Sequence, residues 1–223
     1  MLMAFASQAA DFERISETER EVVDASMQKL GLQIDQKPEG KRIGQFYVEI
    51  KNPFPYDKGI FKYLRLLHVK TKDTYLIGQL LMQPGDPFDQ NVITETEIRL
   101  NDIKVRSMTL IFPVQLVGNV SQDTVDLLIV TRDVVSFRTI FDLTWVGDSL
   151  FQLSTGGTEA SIAGTNKLAS LSFQLRPYLM ELAAVYIDPD FFSTRHQLNA
   201  SQGVILNRFD GRYEGIRGQL VAN

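Results

Sequence analysis

Apolar residues recur with two different periods along this chain. Between Ser16 and Gly31 the spacing is helical, with Val23, Met27 and Leu30 on one face. Ser16 followed three residues later by Glu19 is a capping box, in which each side chain satisfies the other residue's amide. Gly31 is a suitable C′ stop, because a residue without Cβ enters the left-handed region cheaply. The pattern therefore predicts a helix over 17–30.

From about residue 41 the period falls to 2, which is that of strands with one face buried. Phe46, Val48 and Ile50 alternate with Gln45, Tyr47 and Glu49, and Phe137, Phe141, Leu143 and Trp145 share one face of a long aromatic strand. These four are expected to point into a core. Further strands are predicted over 93–100, 104–112, 114–117, 125–131, 168–175 and 204–209, between stretches carrying Gly, Pro, Asn, Asp or Ser. Asp210-Gly211 separates 204–209 from 212–220 as a hairpin turn. Residues 61–69 fit a helix or a strand equally. Pro177 is well placed to open a short helix running to Tyr186. The stretch 154–166, STGGTEASIAGTN, reads as a flexible loop poor in bulky side chains.

These elements predict a mainly β protein: an antiparallel β-sandwich or barrel, with an N-terminal amphipathic helix and one or two short additional helices. The expected organisation is an arm and helix over 1–40 and a single β-rich domain over 41–223. No fixed-period repeat or heptad is present.

Composition removes more functions than it suggests. The chain has no cysteine and two histidines, His68 and His196. Thiolate metal sites, structural disulfides and multi-histidine metal sites are therefore excluded. The net charge of −4 argues against duplex binding, so specific nucleic-acid binding is not expected. Residues 1–10 lack a basic n-region and read as an arm, and no window approaches a membrane-spanning apolar helix. The expectation is no membrane insertion.

The remaining motifs do not assemble into a reaction centre. Gly156-Gly157 fits neither phosphate-loop pattern. Glu95 and Glu97 would share a face of a strand, while Asp86, Asp89, Asp188 and Asp190 sit in turn-forming sequences. No catalytic residue, cofactor site or metal site is assigned, and the protein is expected not to be an enzyme.

Aromatic residues at loop positions carry the functional expectation. Phe54 and Tyr56 lie among prolines, and Phe191 and Phe192 follow Asp188-Pro189-Asp190. Such rings either plug a β core or anchor an interface. Charge is also uneven, with eight acids and four bases over 1–40 against four bases and two acids over 193–223. Complementary ends suit head-to-tail assembly, with Arg212 and Arg217 setting register. The resulting expectation is a non-enzymatic assembly subunit: a virion component of a tailed bacteriophage, from its tail tube, baseplate or head-to-tail joint. Its partners would be copies of itself in a ring or tube and other assembly proteins, and its location the virion, or the cytoplasm before assembly. The alternatives are a carbohydrate-binding or carbohydrate-processing β-sandwich and a peptide-binding adaptor.

Overall fold

The computed structural model describes residues 15–53, 69–101, 105–118, 121–147, 149–193 and 196–222. The fold is mainly β, with two sheets and an N-terminal helix. The chain divides into two compact units, one of residues 1–52 and 73–133, the other of residues 53–72 and 134–223.

The first unit holds α1 (Glu17–Leu30), β1 (Leu32–Ile34), β2 (Arg42–Lys51), α2 (Asp73–Gly78), α3 (Gln90–Leu100), β3 (Arg106–Leu116) and β4 (Thr124–Asp133). Helix α1 has the bounds and caps that the sequence predicts. Ser16 Oγ accepts from the Glu19 amide, the Glu19 carboxylate accepts from the Ser16 amide, and Gly31 adopts φ 65°. The sheet order is β1-β3-β4-β2. Strand β2 runs parallel to β4, the other pairs being antiparallel.

Strand β4 lies at the centre of this unit, and its run Val125-Asp126-Leu127-Leu128-Ile129-Val130 is nearly continuous in apolar residues because both faces are covered. Leu127 and Ile129 join Leu76, Ile93 and Leu100 of α2 and α3 in one core. Leu128 and Val130 join Val23 of α1, with Met108 and Phe112, in the other. Asp126, the polar break in that run, accepts from the Gln45 amide where β2 bulges. Nearby, Lys41 donates to the Asp35 carboxylate at 2.6 Å and to the Ser121 carbonyl, so this buried ion pair is supported by a second hydrogen bond.

The second unit is one antiparallel meander: β5 (Phe137–Val146), β6 (Ser149–Ile162), β7 (Lys167–Leu175), β8 (Leu179–Asp188), β9 (Leu198–Asn207) and β10 (Tyr213–Ala222). These six strands lie side by side in chain order, so β5 and β10 are the edges.

Three predicted elements are corrected. Residues 93–100 belong to helix α3, whose β-branched residues mimic a strand. Ile93, Thr96 and Leu100 fall on one helical face, and the Asp89 side chain caps the amide of Asn91. Glu95 and Glu97 therefore do not share a strand face, and the Glu97 carboxylate accepts from the Ile111 amide at 2.6 Å. The loop predicted over 154–166 is mostly strand β6. Its glycines mark close approach rather than flexibility, since a Cβ at Gly156 would stand 2.7 Å from the Leu171 carbonyl oxygen. The helix predicted from Pro177 to Tyr186 is strand β8, in which Met180, Leu182, Ala184 and Tyr186 alternate with Glu181, Ala183 and Val185. Residues 61–68 lie outside the described residues.

Candidate functional site

Register assigns every residue of the six-stranded sheet to one of two faces, because directly paired residues point to the same side. One row reads Phe141, Thr155, Phe173, Leu182, Val204 and Ile216 across β5 to β10. The next row on that face runs through Thr139, Gly157, Leu171, Ala184, Gln202 and Gly218. Apart from Gln202 and, near one end, Glu159 and the ion-paired Lys167 and Asp188, this face is apolar or small. The opposite face carries Arg138, Asp142, Ser154, Ser172, Glu181 and Arg217 together with the apolar residues Ile140, Leu168, Leu179, Val185, Ile187, Ile205 and Val221.

The apolar face is uncovered. Phe141 is 73% exposed, Leu171 57%, Leu182 52% and Leu220 73%; on the polar face Glu181 is 5% exposed, while Arg138, Asp142 and Arg217 are exposed. The core expectation for Phe137, Phe141, Leu143 and Trp145 is therefore corrected. They share a face, as their spacing predicts, but all four are exposed. Strand alternation identifies which residues point together; it does not say which side meets protein.

On the polar face Arg217 donates to the Glu181 carboxylate, and Arg176 stands 3.6 Å from its other oxygen. On the apolar face a depression of 1240 Å³ crosses the strands, its lining including Gly157, Ala169, Ala184 and Gly218. Aromatic residues gather at both ends of the strands. Trp145, Tyr178, Phe209 and Tyr213 lie at the end carrying the β7–β8 and β9–β10 turns, and Phe137 and Tyr186 lie toward the other.

The predicted interface residues separate. Phe191 and Phe192 occupy a short 3-10 turn between β8 and β9, with ring centroids 4.2 Å apart and Phe192 at φ 56°. Arg212 is in the β9–β10 turn at the opposite end, 3.2 Å from the Asp210 carboxylate. Arg217 belongs to the polar face already described. Phe54 and Tyr56 lie outside the described residues. Glu181 was not singled out from sequence, although the alternation of β8 carried the signal.

Among the described residues, no group of three or more His, Asp or Glu side chains is placed to hold a metal ion. Also among them, no helix is long and apolar enough to cross a bilayer, a statement that concerns helices alone.

No family model and no curated protein sequence matches the chain. Solved structures are similar to it. BamA from Haemophilus ducreyi lacking POTRA domains 1–3 superposes with a TM-score of 0.59 at 14% identity, over 92% of this chain and 42% of that one. CdiB from Acinetobacter baumannii gives 0.47 at 12% identity, over 92% and 41%. The chain thus spans about two fifths of the length of either protein. BamA is an outer-membrane β-barrel protein, and a fold shared with it overturns the expectation of a tailed-phage virion component. The ring or tube of copies, the absence of membrane insertion, and the virion or cytoplasmic location are corrected with it. The physical reason is the exposed apolar face, on which Phe137, Phe141, Leu143 and Trp145, expected in a core, are all uncovered.

Proposed function

We propose that this chain is part of an outer-membrane β-barrel protein of the BamA type, acting without catalysis, with secretion as the role its fold suggests. The six strands form part of the barrel wall. The first unit is a POTRA-like domain in water, of the kind whose first three members were removed from the Haemophilus BamA chain. The observation that carries the reading is the exposed apolar face of the meander, with Phe141, Leu171, Leu182, Ile216 and Leu220 uncovered while Glu181 on the other face is buried.

Bilayer physics favours this arrangement. Within hydrocarbon every backbone polar group needs a partner, which strands achieve only in a closed sheet. Edges β5 and β10 therefore pair with further strands of the barrel. Ten residues rising about 3.3 Å each, tilted near 45°, cover about 23 Å along the membrane normal, close to the apolar band of about 25 Å in such barrels. Lipid tails fill the depression on the apolar face, and the aromatic residues at the strand ends sit at the headgroup level.

The absence of cysteine gives a clean test. Single replacements along β8, from Met180→Cys to Tyr186→Cys, are labelled with a membrane-impermeant maleimide after reconstitution into lipid vesicles. Labelling should alternate, with Glu181, Ala183 and Val185 positions reactive and Leu182 and Ala184 positions protected. Uniform labelling of both sets would refute the membrane reading.

A further inference from the structure

The connection from β8 to β9 holds an apolar ring out in the open. Phe192 is 83% exposed, although its ring stacks on that of Phe191 at 4.2 Å. Its backbone is left-handed, φ 56° and ψ 32°, a conformation that bulky residues rarely adopt and that clusters at functional positions. In water both the conformation and the uncovered ring are unfavourable.

The polar contacts beside this ring fix the side of the sheet on which the connection starts. Asp188, the last residue of β8, shares the apolar face with Leu182, Ala184 and Tyr186. Its carboxylate is 3% exposed and accepts from Lys167 Nζ at 2.8 Å and from the Tyr186 hydroxyl at 3.4 Å. The other carboxylate oxygen accepts from the Asp190 amide at 3.2 Å, which draws the chain leaving β8 onto the apolar side of the sheet. The Phe191 amide then donates to the His196 carbonyl at 2.9 Å and closes the connection into a compact loop.

The same contacts mark a level in the bilayer. On the apolar face β7 and β8 carry apolar side chains as far as Ala169 and Tyr186, and the Lys167–Asp188 pair follows. Hydrocarbon ends and headgroups begin at such a pair. Phe192 lies four residues beyond Asp188, on a loop that starts toward lipid. A ring carried there meets the boundary between tails and headgroups, where its apolar surface regains cover.

We infer that Phe192, backed by Phe191, is a membrane-interface anchor whose ring enters the headgroup–acyl boundary of the leaflet at the β8–β9 end, held in place by its left-handed backbone. The inference rests on the membrane reading and deepens it by adding an inserted knob to one end of the wall.

The full chain is folded from urea into phosphatidylcholine vesicles, with a nitroxide attached at Phe192→Cys. Collisions are measured with oxygen, which concentrates in bilayers, and with a water-soluble nickel chelate. The label should meet nickel less and oxygen more than one at Glu21→Cys, an exposed position on α1. A label at Leu182→Cys, on the apolar face, should lie further in the same direction. Phe192→Asn removes the ring while tolerating the left-handed backbone, and should weaken equilibrium insertion about tenfold, the effect of half covering one phenyl ring. Phe192→Trp should keep insertion. If the Cys variant does not insert, Phe192→Trp in a Trp145→Phe background replaces it, and lipids brominated near the headgroup should quench its emission. Nickel access at residue 192 equal to that at residue 21 while residue 182 is shielded, an unquenched tryptophan at residue 192, or unchanged insertion of Phe192→Asn overturns the anchor and leaves the membrane reading standing. Failure of the wild type to insert overturns both.

Discussion

Glu181 on β8 and Arg217 on β10 join their charges across the intervening strand, over Gly203, the β9 residue paired with both Ala183 and Arg217. A Cβ at Gly203 would stand 3.0 Å from Glu181 Oε1, so the missing side chain leaves the room in which the two groups meet. The glycine, the acid and the arginine tie three strands together on the polar face. A sheltered carboxylate needs its counter-charge, since desolvation without a partner is costly.

Replacing Arg217 by Ala should destabilise the protein by about 1 kcal/mol, a small effect because that arginine is mostly exposed and Arg176 remains. Gly203→Val should cost more, about 1 to 3 kcal/mol, through steric displacement of the carboxylate. Denaturant midpoints in detergent measure both. In a double-mutant cycle, Glu181→Gln and Arg217→Ala should be non-additive.

Glu49 links the first unit to acidity. Burial pushes its carboxyl up, but hydrogen bonds and charge from Lys29 at 2.7 Å and Lys51 at 3.3 Å outweigh this and hold it below its ordinary value of 4.5. A carboxyl lowered in the folded state stabilises that state above the unfolded pKa and loses the contribution as pH falls through the folded one. The wild type should therefore lose stability below about pH 4.5 more steeply than Glu49→Gln, by less than about 1 kcal/mol because Lys29 is exposed. Unfolding midpoints measured between pH 7 and pH 3 check the sign.

Ser16→Ala removes one half of the capping box on α1 and should cost about 1 kcal/mol. Ser16→Asp should recover most of it, since a carboxylate accepts from the same amide. Thermal unfolding followed by circular dichroism separates the two variants.

The parts of the fold that were legible in the sequence are those set by local chemistry. Ser16, Glu19 and Gly31 define α1 without reference to anything distant. Asp210-Gly211 announces the last hairpin, in which Gly211 adopts φ 70°. Illegible elements depend on neighbours. Ile93 to Leu100 reads as a strand until the helical burial of Ile93, Thr96 and Leu100 is seen. Gly156 reads as loop until Leu171 and Ser172 are found against it. The candidate surface was half legible: alternation placed Phe141 and Trp145 on one face, but the same alternation serves a sheet buried in protein and a sheet facing lipid. Only the exposure of that face, at Phe141, Leu171, Leu182, Val204 and Ile216, distinguishes them.

Gly156→Val offers a direct check on the strand assignment of β6. Its Cβ would press on the Leu171 carbonyl and on Ser172, so the sheet must spread to admit a branched side chain. A loss of about 1 to 3 kcal/mol in stability is expected. Gly211→Asn, at a turn where a Cβ meets nothing within 4 Å, should be far milder despite its positive φ.

Trp145 is the chain's single tryptophan and lies on the apolar face near one end of β5, mostly exposed. Its position gives opposite expectations in two solvents. In a sheet facing hydrocarbon the indole sits at the boundary between tails and headgroups, where its apolar body is covered and its N–H stays near water. Emission should therefore shift to the blue on transfer from denaturant into lipid vesicles. Lipids brominated near the headgroup should quench it more than lipids brominated at the tail end. Phe141→Trp in a Trp145→Phe background moves the reporter four residues along the same face, away from that end, and should reverse the order of quenching. If both tryptophans respond alike to both lipids, the apolar face does not cross the bilayer along the strand direction.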